Sequence, residues 1–391
     1  MPSFRGYALV LALFVSSLLY TTTLLFPCLP LLMFPPPLYV RARRLYRQWT
    51  GFVGFLFFSM AAYLLEYFCV IKVRLSGDIV PYGEPALIIC NHRTRVDWMF
   101  LWCLCLHQGQ LSGLKIVLKE SLKSTPGFGW AAQMLLFVFL ARNKSKDLRR
   151  VREISKYLVG LRVPTTLLIF PEGTDLSPSN HQKSLDFARK EGLQEYQYIL
   201  HPKVKGFAEC LQALRPGLEA VHDVTIAYHD YGDDGPPSET TMLAGFFPKE
   251  VHMHIRRHAV NELATSDEGL HEWCREVFKE KEARLKSFYE GSRTFPPRET
   301  QSGGKGGEYG SATAAPASSD CRTGRRALTF FVALLVLVLT YGGTVFGLYA
   351  LSACCIFTLV TAAGGWDMIE LSFSDWALGR TRRSPVGDKN E

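Results

Sequence analysis

Three stretches without charge dominate this sequence. Tyr7 to Phe34 carries no ionisable acid or base of the Asp, Glu, Lys or Arg type, Gly51 to Ile71 is broken only by Glu66, and Ala327 to Trp366 is uncharged throughout. A helix crosses a hydrocarbon core of about 30 Å with about 20 apolar residues, so each of the first two runs suffices for one span. The third, as a single helix, would reach about 60 Å. It reads as a hairpin of two spans turning at Gly342-Gly343. These runs define an integral membrane protein. The N-terminal run follows Arg5 as in a signal peptide, but it is too long for that role and lacks a clear cleavage site. It reads as a retained anchor.

Between the second and third runs the composition is that of an ordinary globular domain. Short β-rich stretches, "ALIIC" (86–90), "TTLLIF" (165–170), "VTIAY" (224–228) and "VHMHI" (251–255), alternate with helical segments, the pattern of an α/β sheet. A charged helix is predicted over 266–290, opened by a capping box from Thr265 to Glu268 and ended by Gly291. The organisation that follows is membrane-anchoring helices over 1–74, an α/β domain over 75–290, a Gly/Ser/Pro linker over 291–326, the hairpin over 327–366 and a basic tail over 367–391. Arg41, Arg43, Arg44 and Arg47 place the loop between the first two runs on the cytoplasmic side. If both runs crossed, the domain would fall on the opposite side, so the second is read as interfacial or re-entrant.

The net charge of +8 comes without a basic patch interleaved with aromatics, which favours anionic membrane over nucleic acid. The ten cysteines form no C-x-x-C pair, so neither a disulfide framework nor a zinc ribbon is indicated. Cys103, Cys105 and His107 read as buried or half-buried helix residues. His252, His254 and His258 read as an exposed strand face rather than a metal site, because no carboxylate or cysteine in the pattern completes a ligand set.

Candidate chemistry sits in "ALIICNHRTRVDWMFLW" (86–102), where a buried-type strand breaks for charge and an apolar helix follows. His92 and Asp97 are spaced His-x-x-x-x-Asp. His181 with Asp186 and His229 with Asp234 share that spacing in polar, loop-like surroundings, so context separates them. Residues five apart on one helix differ by about 140°; the pair can meet only if His92 lies in the turn and Asp97 in the first helical turn, where the helix dipole favours a carboxylate. A carboxylate on one imidazole nitrogen leaves the other as a base. On spacing and context alone, catalysis and a structural hydrogen bond both fit. A second strand, "LLIFPEGTDLS" (168–178), exits into Glu172, Gly173 and Thr174, where exposed N–H groups and a hydroxyl can hold a phosphate or oxyanion. Further blocks offer Lys119 and Lys123 at i,i+4 and Arg142 after a strand-like run.

Taken in order, these blocks resemble the glycerolipid acyltransferase family, which includes the acylglycerol-phosphate acyltransferases, over roughly residues 75–260. Asn91-His92 through Asp97 is similar to its first motif, Gly127 to Arg142 to its second, Phe170 to Thr174 to its third and "DVTIAY" (223–228) to its fourth. "NHRTRVDWMFLW", "PGFGW", "FPEGTDLS", "LHPKVKGF" and "AVHDVTIAY" resemble the lysocardiolipin branch in particular. One departure is Asp175, where the wider family has arginine after Glu-Gly-Thr. The resemblance implies His92 as base and Asp97 as its support, with Arg93, Arg95, Lys119, Arg142, Glu172, Gly173 and Thr174 binding substrate. It implies acyl-CoA as co-substrate, a lysophospholipid acceptor (lysocardiolipin, lysophosphatidylinositol, lysophosphatidylglycerol or lysophosphatidate) and contact with membrane lipids. No cofactor or metal is implied. Because acyl-CoA is cytosolic, the expected site is the cytosolic face of an endoplasmic reticulum membrane. A catalytically silent scaffold and a lipid hydrolase using the same base on water are the competing readings. Asn143-Lys144-Ser145 is a glycosylation acceptor beside the site, so a glycan there would contradict this orientation.

Overall fold

The computed structural model describes residues 3–34, 38–141, 143–229, 236–295 and 318–377. Seven strands form one mixed sheet: β1 (Lys72–Gly77), β2 (Ala86–Cys90), β3 (Leu114–Lys119), β4 (Val138–Leu140), β5 (Thr166–Ile169), β6 (Ala220–His229) and β7 (Glu250–Ala259), in spatial order β1-β7-β6-β2-β5-β3-β4. Strands β6, β2, β5, β3 and β4 run parallel; β7 runs antiparallel to β6, and β1 pairs parallel with β7. The helices are α1 (Phe4–Tyr20), α2 (Tyr39–Tyr63), α3 (Asp97–His107), α4 (Phe128–Met134), α5 (Lys144–Gly160), α6 (Pro178–Glu191), α7 (Val204–Leu214), α8 (Glu239–Ala244), α9 (Asp267–Glu290), α10 (Ser318–Tyr341), α11 (Gly343–Ala362) and α12 (Trp366–Ala377).

The continuous apolar runs of β2 and β5 are explained by burial on both faces, as in parallel sheets. Side chains alternate along β2. Leu87 and Ile89 enter a core with α5, α7 and α9, while Ile88 and Cys90 enter another with α2 and α3.

The second apolar run behaves differently from a membrane segment set apart from the domain. Helix α3 is buried almost all round, with Phe100 through Cys105 shielded from solvent, and such a helix requires an apolar neighbour on its outer side. Helix α2 supplies it: Phe57 and Phe58 pack on Trp102, and Met60, Ala61 and Ala62 are fully buried. The membrane-anchoring region is thus one wall of the α/β core. Among the described residues, four helical runs are long and apolar enough to cross a membrane: Phe4–Met33, Tyr39–Phe68, Asp320–Tyr341 and Gly343–Ala362. Helices α10 and α11 turn their apolar surface outward, with Leu337, Leu339, Val345 and Leu359 exposed; that surface suits lipid.

Three further differences from the sequence reading have tertiary causes. Helix α9 is capped by Ser266, whose side chain accepts from the Gly269 N–H, instead of by Thr265. Residues 318–326, expected in the linker, already belong to α10. There Gly324 lets α10 close on α2, since a Cβ would lie 2.5 Å from Tyr63 Cβ. His107 also bridges Glu66 at 3.0 Å and Asp320 at 2.9 Å. Residues 367–377, expected as the start of a basic tail, continue α12, whose Asp367 and Glu370 are buried among cations. Residues 296–317 of the expected linker and 378–391 of the tail lie outside the described residues.

Candidate active site

Strand β2 ends at Cys90, and the next residue pins that end to β6: the Ile226 N–H donates to Asn91 Oδ1 at 2.8 Å and Asn91 Nδ2 donates to the Ile226 carbonyl at 3.1 Å. His92 follows in the turn and Asp97 opens α3, the arrangement that allows a five-residue spacing to close. His92 Nδ1 lies 3.0 Å from Asp97 Oδ2. Asp97 is fully buried and takes three more donors: the Thr94 N–H at 2.9 Å, the Thr94 hydroxyl at 2.9 Å, and the Tyr228 hydroxyl from β6. With Nδ1 committed, Nε2 is the open nitrogen of a side chain that is 17% exposed. The imidazole stacks on Phe170 with centroids 4.1 Å apart. Burial pushes the His92 pKa down, but the Asp97 hydrogen bond and charge, with Glu172 and Asp175 behind them, carry it above the ordinary histidine value.

Glu172, expected among the substrate-binding residues, is instead an internal clamp. One carboxylate oxygen accepts the His92 N–H at 2.8 Å and the other the Leu200 N–H at 2.9 Å. Its burial pushes its pKa up to about 7, opposed by those two hydrogen bonds. The turn after it also departs from expectation. Gly173 has φ +74°, and its N–H closes the turn on the Phe170 carbonyl at 2.9 Å, so that donor is not open to a ligand. The Thr174 hydroxyl accepts from Asn180 Nδ2 at 2.9 Å and faces Asp175.

The expected cations are distributed unevenly. Lys119 ends β3 and is exposed at the carboxyl edge shared by β2 and β5, on the same side of the sheet as His92 and Glu172. It is not paired at i,i+4 with Lys123, which lies in a 3₁₀ turn (Glu120–Ser124) and binds Asp367 at 2.9 Å. Arg95 is exposed, with Asp175 as its partner at 3.8 Å. Arg93 turns its guanidinium onto the Tyr289 ring, 4.1 Å away. Arg142 lies outside the described residues.

Four residues near the dyad escaped the sequence reading. Asn91 stood in the first motif without an assigned role, and Thr94 and Tyr228 anchor Asp97. Lys203 packs over the third-motif turn: a Cβ on Gly173 would lie 2.7 Å from Lys203 Nζ, and the Lys203 N–H donates to the Pro171 carbonyl at 2.7 Å. Lys203 brings a cation to the turn whose own next position is Asp175. The only advance signal was "HPKVKGF", a motif with no assigned role.

The decoys resolve as structural groups. His181 bonds the Tyr196 carbonyl at 2.8 Å; Asp234 lies outside the described residues. The histidines of β7 are not an exposed face, because α9 and Phe295 cover them and His252 is buried. Among the described residues, His229, Glu250 and His252 bring ligand atoms within 4.8 Å of one another. A carboxylate therefore does join the histidines, but Arg74 holds it at 3.1 Å.

A buried Asp orienting a His at the carboxyl edge of parallel strands is the constellation of an acid–base enzyme. Residues 72–229 match the family model described as acyltransferase, and residues 241–308 match the acyltransferase C-terminus. The chain belongs to this family and is an acyltransferase. It is similar to lysocardiolipin acyltransferase 1 of Mus musculus, with 42% identity covering 75% of this chain and 76% of the mouse protein. It is 38% identical to a probable 1-acyl-sn-glycerol-3-phosphate acyltransferase 5 of Arabidopsis thaliana, over 64% of this chain and 66% of that protein. It is 37% identical to lysophosphatidylinositol acyltransferase 10 of Caenorhabditis elegans, over 58% of each chain.

Proposed function

We propose that this protein is an acyl-CoA-dependent lysophospholipid acyltransferase that re-esterifies the free hydroxyl of lysocardiolipin, lysophosphatidylinositol or lysophosphatidylglycerol. The observation that carries the chemistry is the oriented dyad: Nδ1 of His92 held 3.0 Å from a buried Asp97, with Nε2 open. Nε2 takes the proton of the acceptor hydroxyl as its oxygen bonds to the thioester carbon, and Asp97 stabilises the imidazolium. The tetrahedral intermediate collapses by breaking the C–S bond, and the imidazolium returns its proton to the leaving CoA thiolate. The sequence has no Gly-x-Ser-x-Gly elbow to supply an acyl-enzyme serine, which favours direct transfer. Among the described residues, Lys119, Lys203 and Arg95 are exposed cations available for a lipid phosphate, and Trp98, tilted against Phe128 with ring centroids 5.6 Å apart, offers apolar surface for an acyl chain beside Asp97.

The lysocardiolipin and lysophosphatidylinositol relatives support an acceptor with a large anionic head group; the plant relative supports lysophosphatidate as the second reading. Membrane association through the apolar helices brings the dyad to a lipid substrate, and a cytosolic supply of acyl-CoA fits a site on the cytosolic face of an endoplasmic reticulum membrane. The test offers membranes carrying the protein a labelled acyl-CoA and a panel of lysocardiolipin, lysophosphatidylinositol, lysophosphatidylglycerol and lysophosphatidate. Preferred labelling of one of the first three supports this reading, and preference for the last transfers it to the plant-type activity. Transfer to none, with release of free fatty acid from lipid, moves it to hydrolysis.

A further inference from the structure

Helix α12 is reached through Gly364-Gly365, at φ +120° and +98°, and is seated by polar contacts that converge on one part of the domain. Asp367 binds Lys123 at 2.9 Å and pairs with Arg150 of α5. Lys123 also donates to the Gly364 carbonyl at 2.5 Å. The Trp366 N–H donates to Gln133 Oε1 of α4 at 3.0 Å, and Gln133 Nε2 donates to the Lys123 carbonyl at 2.9 Å. One turn later, Glu370 accepts from the Tyr157 hydroxyl at 2.6 Å and pairs with Arg47 at 3.0 Å. Arg47 in turn donates to the Met134 carbonyl at 2.6 Å. The adjoining face of α12 is apolar: Trp366 and Ile369 line a cavity of about 490 Å³ with Phe26, Leu29, Tyr349 and Ile356.

Part of what is fastened in this way, residues 119–134, borders the dyad. Lys119 immediately precedes the 3₁₀ turn that carries Lys123, and Phe128, the first residue of α4, packs on Trp98, the neighbour of Asp97. Three cations, Arg47, Lys123 and Arg150, meet two carboxylates here, and a fourth, Arg43, donates to the Glu370 backbone carbonyl at 2.9 Å. Removing one carboxylate leaves buried positive charge without its counter-ion, which the segment relieves by moving outward.

We propose that α12 is a strap that sets the position of residues 119–134 against the dyad, with Asp367 and Glu370 as positioning residues for the lysophospholipid acceptor. The acceptor assignment rests on the function proposed above; the strap itself rests on geometry alone. The test uses the full chain in membranes, with Asp367→Asn, Asp367→Ala and Asp367→Glu. Hydrogen exchange should quicken over 119–134 in the Asn and Ala variants while β2 and α3 keep wild-type rates. The KM for the lysophospholipid should rise about tenfold, with kcat and the KM for acyl-CoA within about twofold; Asp367→Glu should recover part of the loss. Asp367→Asn keeps the side-chain shape and serves where the Ala variant fails to fold. Unchanged exchange over 119–134, or loosening of the whole domain with kcat and both KM values altered together, overturns the proposal. If the wild type transfers no acyl group, the functional reading falls and the exchange measurement alone decides the strap.

Discussion

Glu172 accepts the backbone N–H of His92 at 2.8 Å and, through its other oxygen, that of Leu200 at 2.9 Å. A glutamate from the end of one strand thereby fixes the main chain at the end of its neighbour, directly behind the base. Replacing it with Gln turns an amide donor toward one of two N–H donors. Glu172→Gln is expected to lower stability by about 1–3 kcal/mol and to reduce kcat more than it raises the acceptor KM. Thermal unfolding and steady-state kinetics check both; unchanged stability contradicts the clamp.

The pH dependence of transfer should report His92. Its pKa is raised, so the neutral imidazole is lost as pH falls through a value above the ordinary 6.5, and kcat/KM should decline on that acid limb. Asp97→Asn removes the group that raises it. Burial then dominates, so the limb should move to lower pH, with a rate lower by about 10²–10⁴-fold.

Tyr228→Phe deletes a donor to the same carboxylate. With fewer donors Asp97 holds the imidazolium more strongly, so the limb should move to higher pH, opposite to the Asn variant. Stability should fall by about 1.5–3 kcal/mol, the range for a hydrogen bond to a charged group. A pH–rate profile and a denaturation curve measure the two effects.

Lys203→Met removes the cation over the third-motif turn while keeping much of its apolar stem. The KM for an anionic acceptor should rise about tenfold, the loss of one charge-assisted hydrogen bond, and kcat should hold. Comparing a lysophospholipid with an uncharged monoacylglycerol acceptor isolates the effect: only the anionic acceptor should respond.

His107 links α3 to both the end of the second apolar run and the start of α10 through Glu66 and Asp320. Burial opposes its charge, but the two carboxylates raise its pKa to about 9 from 6.5. Its contribution is therefore complete below pH 6.5 and is lost as pH rises through about 9; the shift corresponds to roughly 3 kcal/mol. His107→Gln should abolish the stability difference between pH 6.5 and 9, as read by thermal unfolding in membranes across that range.

The parts legible in the sequence were those encoded locally. Strands β2 and β5 are uninterrupted apolar runs, and the dyad stands out because charge breaks such a run just before an apolar helix. Strand β1 pairs with β7 across 178 positions (Lys72 with Glu250), and nothing near residue 72 announces that partner. Asp367 and Glu370 fell in the stretch expected as a basic tail, because the cations that bury them lie in α2, α5 and the Lys123 turn. The Gly173 N–H looked open because the turn hydrogen bond that consumes it is not written in the residue types. Glu172 was found at the right place with the wrong role: a motif marks the position, and only the fold shows which way its carboxylate faces.

The most direct measurement is transfer of a labelled acyl chain from acyl-CoA to lysocardiolipin by membranes carrying wild type or His92→Gln at equal, folded amounts. A His92 base predicts robust transfer by the wild type and a loss of about 10²-fold or more in the variant. Transfer by His92→Gln within a few-fold of wild type would contradict it.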